Sequence, residues 1–195
     1  KNQSSNNFIW YIGYSKSTPS RFIKNLPDFA EPIFANSVNE YLKKVRKKVS
    51  NAKKLLSLRL DNDDTIDQFY IEIFQSFARV CLKNTASMST PLVLRYPNGL
   101  NHHIASEQFY KYRYPGCSFL GLLESWHASK QVDKEGYKLA FGYNHATIHK
   151  HFPCIPIETG RPMWLINIHS NNVGNTLKDD HEIDDSIDLE NFGIL

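Results

Sequence analysis

No apolar stretch in this chain approaches the ~20 residues that span a bilayer. No Met–basic–apolar opening reads as a signal peptide. Cysteine is scarce and odd in number. Cys81, Cys117 and Cys154 lie far apart, so neither a disulfide framework nor a metal-ligand pair is visible. That usage suits small buried hydrophobes in a reducing compartment, which points to the cytoplasm. Internal repeats and linkers between two cores are also missing. The chain begins at Lys1, which marks it as processed or as a piece of something longer. What is present is 195 residues, 41% hydrophobic and 13% aromatic, enough for one domain with a sizeable core. Globally disordered and collagen-like classes are excluded.

Charge is unevenly spread. Residues 179–195 hold Asp179, Asp180, Glu182, Asp184, Asp185, Asp188 and Glu190 and no Lys or Arg. The remaining 1–178 carry 23 basic against 13 acidic residues, a body of +10 behind a formal total of +3. A basic body suits a polyanionic or phosphorylated ligand, or is simply a solvated surface. The acidic tail is expected to be mobile or loosely packed. Two regions follow: a domain over 1–178 and a tail over 179–195.

Periodicity supplies the elements. Residues 8–14 (FIWYIGY) predict a buried strand, 20–26 a short helix stopped by Pro27, and 31–34 a short strand. Residues 37–51 predict a helix, with Val38, Tyr41, Leu42, Val45 and Val49 on one face and Lys43, Lys44, Arg46, Lys47 and Lys48 on the other. A strand is expected over 55–60 and a long helix over 65–85. A hairpin is expected from 92–96 through Pro97-Asn98-Gly99 to 100–104. Further expectations are a strand at 109–114, a short helix at 118–125, a strand at 137–142 and a helical turn at 146–151. Beyond Pro153 no pattern is legible. Strands alternating with helices argue an α/β domain, and the hairpin argues a mixed sheet.

The most informative stretch is Leu55–Phe69, LLSLRLDNDDTIDQF. An apolar strand delivers Asp61, Asn62, Asp63 and Asp64 in succession. Adjacent acceptors at a strand end repel one another unless a cation sits among them, and hard divalent cations want such oxygens. Ligands of open α/β sheets bind outside the carboxyl ends of strands. The competing reading is a helix-capping cluster.

Two motifs fit these residues. Asp61, Asp63 and Thr65 have the Asp-x-Asp-x-Thr spacing of haloacid-dehalogenase-like phosphohydrolases, with Asp61 as nucleophile and Asp63 as acid/base. Leu60-Asp61-Asn62-Asp63-Asp64 also matches the Asp-x-Asp motif of GT-A glycosyltransferases. The surroundings favour the second. Gln3, Asn7, Phe8 and Trp10 resemble the Gln-x-x-x-Asn-Phe-x-Trp entry to a strand of such enzymes. Ser57–Ile66 closely resembles the Arg-Leu-Asp-x-Asp-Asp stretch of the rhamnosyltransferase family. Pro97-Asn98-Gly99, Phe119–Glu124 and Asn144-His145 follow in the expected order, so the resemblance covers most of 2–150.

The resemblance implies a GT-A-like mixed β-sheet flanked by helices. It also implies a metal-dependent transfer of a sugar, rhamnose among the candidates, from a nucleotide-diphosphate sugar to a carbohydrate or glycolipid acceptor. Asp61 and Asp63 would hold Mn²⁺ or Mg²⁺, with His145 as third ligand and His149 and His151 as alternatives. Arg59, Asn62 and Asp64 would bind the donor. Glu124 would be the base of an inverting reaction, on or beginning a helix, and Trp126 would stack on an acceptor sugar. Packing or surface roles for His145, Glu124 and Trp126 stay open. The basic face at 43–48 could meet an anionic membrane or a charged polysaccharide, or only solvent. It lacks the interleaved aromatics that nucleic acid would want. Set against the family, the chain is expected to lack the first βα unit. A non-catalytic nucleotide- or carbohydrate-binding remnant is therefore a further alternative.

Overall fold

The computed structural model describes residues 3–24, 26–61, 63–84, 89–114, 116, 119–125, 136–169, 183 and 187–194. These form a mixed α/β structure with few helices. In chain order the elements are β1 (Trp10–Tyr14), β2 (Ala30–Phe34), α1 (Val38–Val49), β3 (Lys54–Leu58), β4 (Thr65–Ile66), α2 (Tyr70–Asn84), β5 (Leu92–Arg95), β6 (Asn98–His103), β7 (Gln108–Arg113), β8 (Leu120–Ser125), β9 (Cys154–Pro156) and β10 (Trp164–Ile168). The strands fall into three sheets: a parallel pair β1-β2, and two mixed four-stranded sheets ordered β3-β8-β5-β9 and β4-β10-β6-β7. No helix among the described residues is long and apolar enough to cross a membrane.

Helix α1 starts where its sequence says it should. Ser37 Oγ accepts the Glu40 N–H at 3.2 Å, and the Glu40 carboxylate accepts the Asn36 N–H at 2.9 Å. This resembles a capping box, except that the Glu40 carboxylate takes the N–H of the residue before the cap and not that of Ser37 itself. Leu42 and Val45 are buried in a cluster with Ile33 of β2, while the lysine face stays open. Several of its cations are already engaged, Lys44 with Glu40, Lys48 with Glu31 and Arg46 with the Tyr137 carbonyl. Among the described residues, the segment before β2 holds a 3-10 turn, Ser20–Phe22, in place of the expected helix over 20–26. It buries none of its residues, so no packing extends it.

The second half departs further from expectation. Residues 120–125 form the strand β8, not a helix. β8 lies between β3 and β5, and Leu120–Glu124 are all buried. A central strand covered on both faces shows no alternation and cannot be told from a buried helix by period. Residues 137–139 are loop leading into a 3-10 turn at Ala140–Gly142, not a strand. The long helix begins at Tyr70, because Thr65 and Ile66 pair with Leu165 and Trp164 of β10. Asp67 accepts the Phe69 N–H at 2.7 Å at that helix start. The expected hairpin 92–104 does not form. β5 and β6 belong to different sheets, and β6 instead turns through residues 104–107 into β7.

Gly99 explains that last difference. It has no left-handed φ, so it is not serving a tight turn. Its missing Cβ is what matters: a Cβ there would lie 2.0 Å from the ring of fully buried Trp164. Gly99→Ala is expected to cost about 3 kcal/mol by overpacking and to lower Tm by several degrees. A thermal melt indistinguishable from the parent's would contradict the seating of Trp164 on β6.

The described residues of the tail, 183 and 187–194, make defined contacts with the sheet. Phe192 is buried against Leu100 and Leu165, on a 3-10 turn Leu189–Phe192. Gln68 donates its N–H to Asn191 O and its side-chain amide to Asn191 Oδ1, each at 2.7 Å. Ile183 bridges Tyr110 of β7.

Candidate functional site

β3 ends at Leu58, and the chain then carries Arg59 to Asp64 across to β4. The capping reading of the cluster does not hold, because the helix starts six residues after Asp64 and Asp67 serves it. What shapes the loop is β10. Thr65 lies opposite Leu165. Two residues on, the Asn167 side-chain amide donates to Asp63 O at 2.6 Å. Two further, His169 Nε2 is 3.6 Å from Asp63 Oδ2. Asn167 is itself held by His102 Nδ1 at 3.0 Å, and the His102 ring stacks on Phe109. The strand thus anchors the backbone of Asp63, and the residue just past its end approaches the carboxylate.

On the other flank, Arg59 Nη2 donates to both oxygens of Asp61, at 2.9 and 3.4 Å. The same guanidinium lies 5.4 Å from the centre of the Phe141 ring. Asp61 and Asp63 keep their side chains 42% and 41% exposed. Asp64 is more enclosed. Burial, then the negative charges of Asp63 and Asp61, push its carboxyl up to about 7, against the opposing pull of Arg59. His145 is held neutral more readily than usual by burial and by the Arg59 charge, although Asp61 pulls the other way. Its carbonyl accepts from Arg95 at 3.0 Å.

Of the residues expected at the site, the structure therefore brings Arg59, Asp61, Asp63 and Asp64 together, with His145 within electrostatic reach. His149 and His151 are exposed on the following turn. Asn62 and Trp126 lie outside the described residues. Glu124 does not join this group. It sits on β8 opposite Leu55, with 0% exposure. Its Oε1 accepts the Lys138 N–H at 2.7 Å and its Oε2 the Leu139 N–H at 3.0 Å. Asn167, His169 and Phe141 were missed. The first two were legible in principle: they are the polar members of the alternation in Trp164-Leu165-Ile166-Asn167-Ile168-His169.

The raised Asp64 carboxyl has a consequence for stability. An unfolded Asp titrates near 4, so between about pH 4 and 7 the folded chain holds a proton the unfolded chain has lost. Stability from this group therefore falls as pH rises through that window and stays low above it. Asp64→Asn is expected to raise the unfolding free energy at pH 8 in the presence of a chelator, by up to about 4 kcal/mol, with a matching rise in Tm, and to change both little at pH 4. Equal effects at both pH values would show that the strain is not carried by this carboxyl.

Does the donor set suit a divalent cation? Among the described residues, no three His, Cys, Asp or Glu side chains form a ready cage. Mg²⁺-like ions do not need one when a substrate supplies phosphate oxygens, because one or two carboxylates then suffice. Two solvent-facing carboxylates beside a third that cannot comfortably ionise meet that requirement.

A family model described as putative rhamnosyl transferase matches residues 1–180. No curated protein and no solved structure matches the chain.

Proposed function

The chain belongs to the putative rhamnosyl transferase family, and on that premise we propose that the Arg59–Asp64 loop is the donor-diphosphate site of a metal-dependent sugar transferase of GT-A type. The observation that carries the reading is the pair of open carboxylates, Asp61 and Asp63, immobilised from opposite sides by Arg59 and by β10. Asp61 and Asp63 would hold Mn²⁺ or Mg²⁺. Such an ion, when bound, neutralises charge on the departing nucleoside diphosphate.

The remaining work falls to the chain's own groups. Arg59 fixes the rotamer of Asp61 and adds a positive charge beside the diphosphate. Asn167 fixes the backbone of Asp63, which removes the need to order that loop when the donor binds. Asp64, protonated for part of the time near neutral pH, can donate a hydrogen bond to a donor hydroxyl or phosphate oxygen. Burial favours the neutral form of His145, the form in which an imidazole can bind a metal, but among the described residues it makes no three-ligand group with Asp61 and Asp63, so the ion would rest on the two carboxylates and the donor's own phosphate oxygens. We assign Glu124 a structural role in place of the base: both its oxygens are occupied by backbone N–H groups, and no acceptor hydroxyl reaches it without displacing residues 138–139. The family match favours this transferase reading over a phosphohydrolase built on Asp61 and Asp63.

The test is turnover. The protein is mixed with Mn²⁺, a panel of nucleoside-diphosphate sugars and a panel of glycan acceptors, and release of nucleoside diphosphate is followed. Release that stops on adding EDTA is expected. Cleavage of simple phosphate esters without any sugar transfer would overturn the proposal.

A further inference from the structure

The segment 137–142 is held far more firmly than a surface connection needs. The buried Glu124 carboxylate takes two consecutive backbone N–H groups, those of Lys138 and Leu139. Ser57 Oγ takes the next, from Ala140, at 2.8 Å. Arg46 Nε donates to Tyr137 O at 2.8 Å. Leu139 is buried with φ +64 and ψ 139, a backbone state that a leucine adopts only under constraint. Such strain is of order 1–3 kcal/mol and persists where surrounding contacts over-determine the chain. A buried carboxylate and a strained leucine are both costs to stability, and they converge on one short turn.

What that turn presents is Phe141. The Arg59 guanidinium lies over one face of its ring, 5.4 Å from the centre, and Tyr41 of α1 meets it edge-on at 5.7 Å, so any stacking partner takes the face away from Arg59. Even so, the residue remains 39% exposed. Arg59 is the group that grips Asp61. An open aromatic ring is thus fixed one side chain away from the acidic loop, with Gly142 beside it exposed and free of bulk.

We infer that Phe141 is a preorganised stacking platform for the nucleobase of the donor whose diphosphate binds at Asp61 and Asp63, and that Glu124 is the positioning residue that holds the platform. The inference rests on the donor site proposed above. Phe carries no polar handle, so it offers a flat face and no hydrogen bond. A planar aromatic base gains most from such a face, and base–aromatic stacking tolerates any base.

Binding rather than turnover tests it. Calorimetric titrations with Mn²⁺ compare uridine diphosphate, thymidine diphosphate and inorganic pyrophosphate on the parent, Phe141→Leu, Phe141→Trp and Asp63→Ala. Phe141→Leu is expected to weaken both nucleoside diphosphates by about 5- to 100-fold and to leave pyrophosphate unchanged. Phe141→Trp should restore nucleotide binding. Glu124→Gln should weaken the nucleotides in the same selective way, whereas Asp63→Ala should weaken all three ligands. Unchanged nucleotide binding in Phe141→Leu, or equal losses for nucleotides and pyrophosphate, overturns the platform. Unchanged nucleoside diphosphate binding with weaker binding of the intact nucleotide sugar also overturns it, by placing the sugar there instead. Pyrophosphate binding that ignores Asp63→Ala overturns the donor site itself, which is a separate failure.

Discussion

Asp63→Ala is expected to lower kcat/KM for sugar transfer by about 10³-fold, equivalent to about 4 kcal/mol of transition-state stabilisation. Asp63 is the better probe of the pair, because Asp61 is also tied to Arg59, so its removal would free a guanidinium as well as a ligand. The substitution leaves the Asn167 bond intact, since that bond goes to the backbone oxygen. It also removes one of the two charges that make Asp64 hard to ionise. The variant should therefore be at least as stable as the parent at pH 8 while being nearly inactive, a trade of stability for function common at catalytic sites. Rate measurements beside thermal melts check both halves. An active variant would remove Asp63 from the donor site. An inactive one that has also lost its melting transition would say only that the loop had collapsed.

Glu124→Ala is expected to destabilise the protein by about 3–5 kcal/mol. Two buried N–H groups would lose their acceptor, at about 1–3 kcal/mol each, and a void would open in the sheet. Glu124→Gln keeps the volume and one acceptor, and should cost about 1–3 kcal/mol. This separates a clamp from a catalytic base. A base would lose kcat by orders of magnitude in the Gln variant, lose the acid limb of its pH–rate profile and melt normally. A clamp would lower the melting temperature, leave the shape of the pH–rate profile alone and raise KM for the donor. Chemical denaturation with kinetics across pH 5–9 decides it, and a Gln variant of parental stability with a flattened pH profile would falsify the clamp.

Local signals were most reliable where an element's own residues settle it. Ser37 and Glu40 announce the start of α1, and Tyr41, Leu42, Val45 and Val49 of its predicted stripe pack with β2 while Val38, in the first turn, stays exposed. β1, β2 and β3 are legible because apolar and β-branched runs end at turn residues. The acidic loop was legible too, since Arg59 and Asp61–Asp64 crowd charge at a strand end. Failures came where a strand's partner is remote. Thr65 and Ile66 look like a helix start until β10, a hundred residues away, pairs with them. Leu120–Leu123 look helical until β3 and β5 cover both faces.

Composition and motif by themselves determined a mixed α/β domain, a basic body and an acidic, oxygen-rich loop after an apolar strand, because these depend on residues adjacent in the chain. Only the tertiary structure decided which groups that loop keeps. It brought Asn167 of β10 and His169 just beyond it to Asp63, set Phe141 beside Arg59, and withdrew Glu124 into the sheet. Each of those outcomes depends on strand register and on what covers a strand's second face. Those quantities are set by packing between distant segments, and local periodicity carries no record of them.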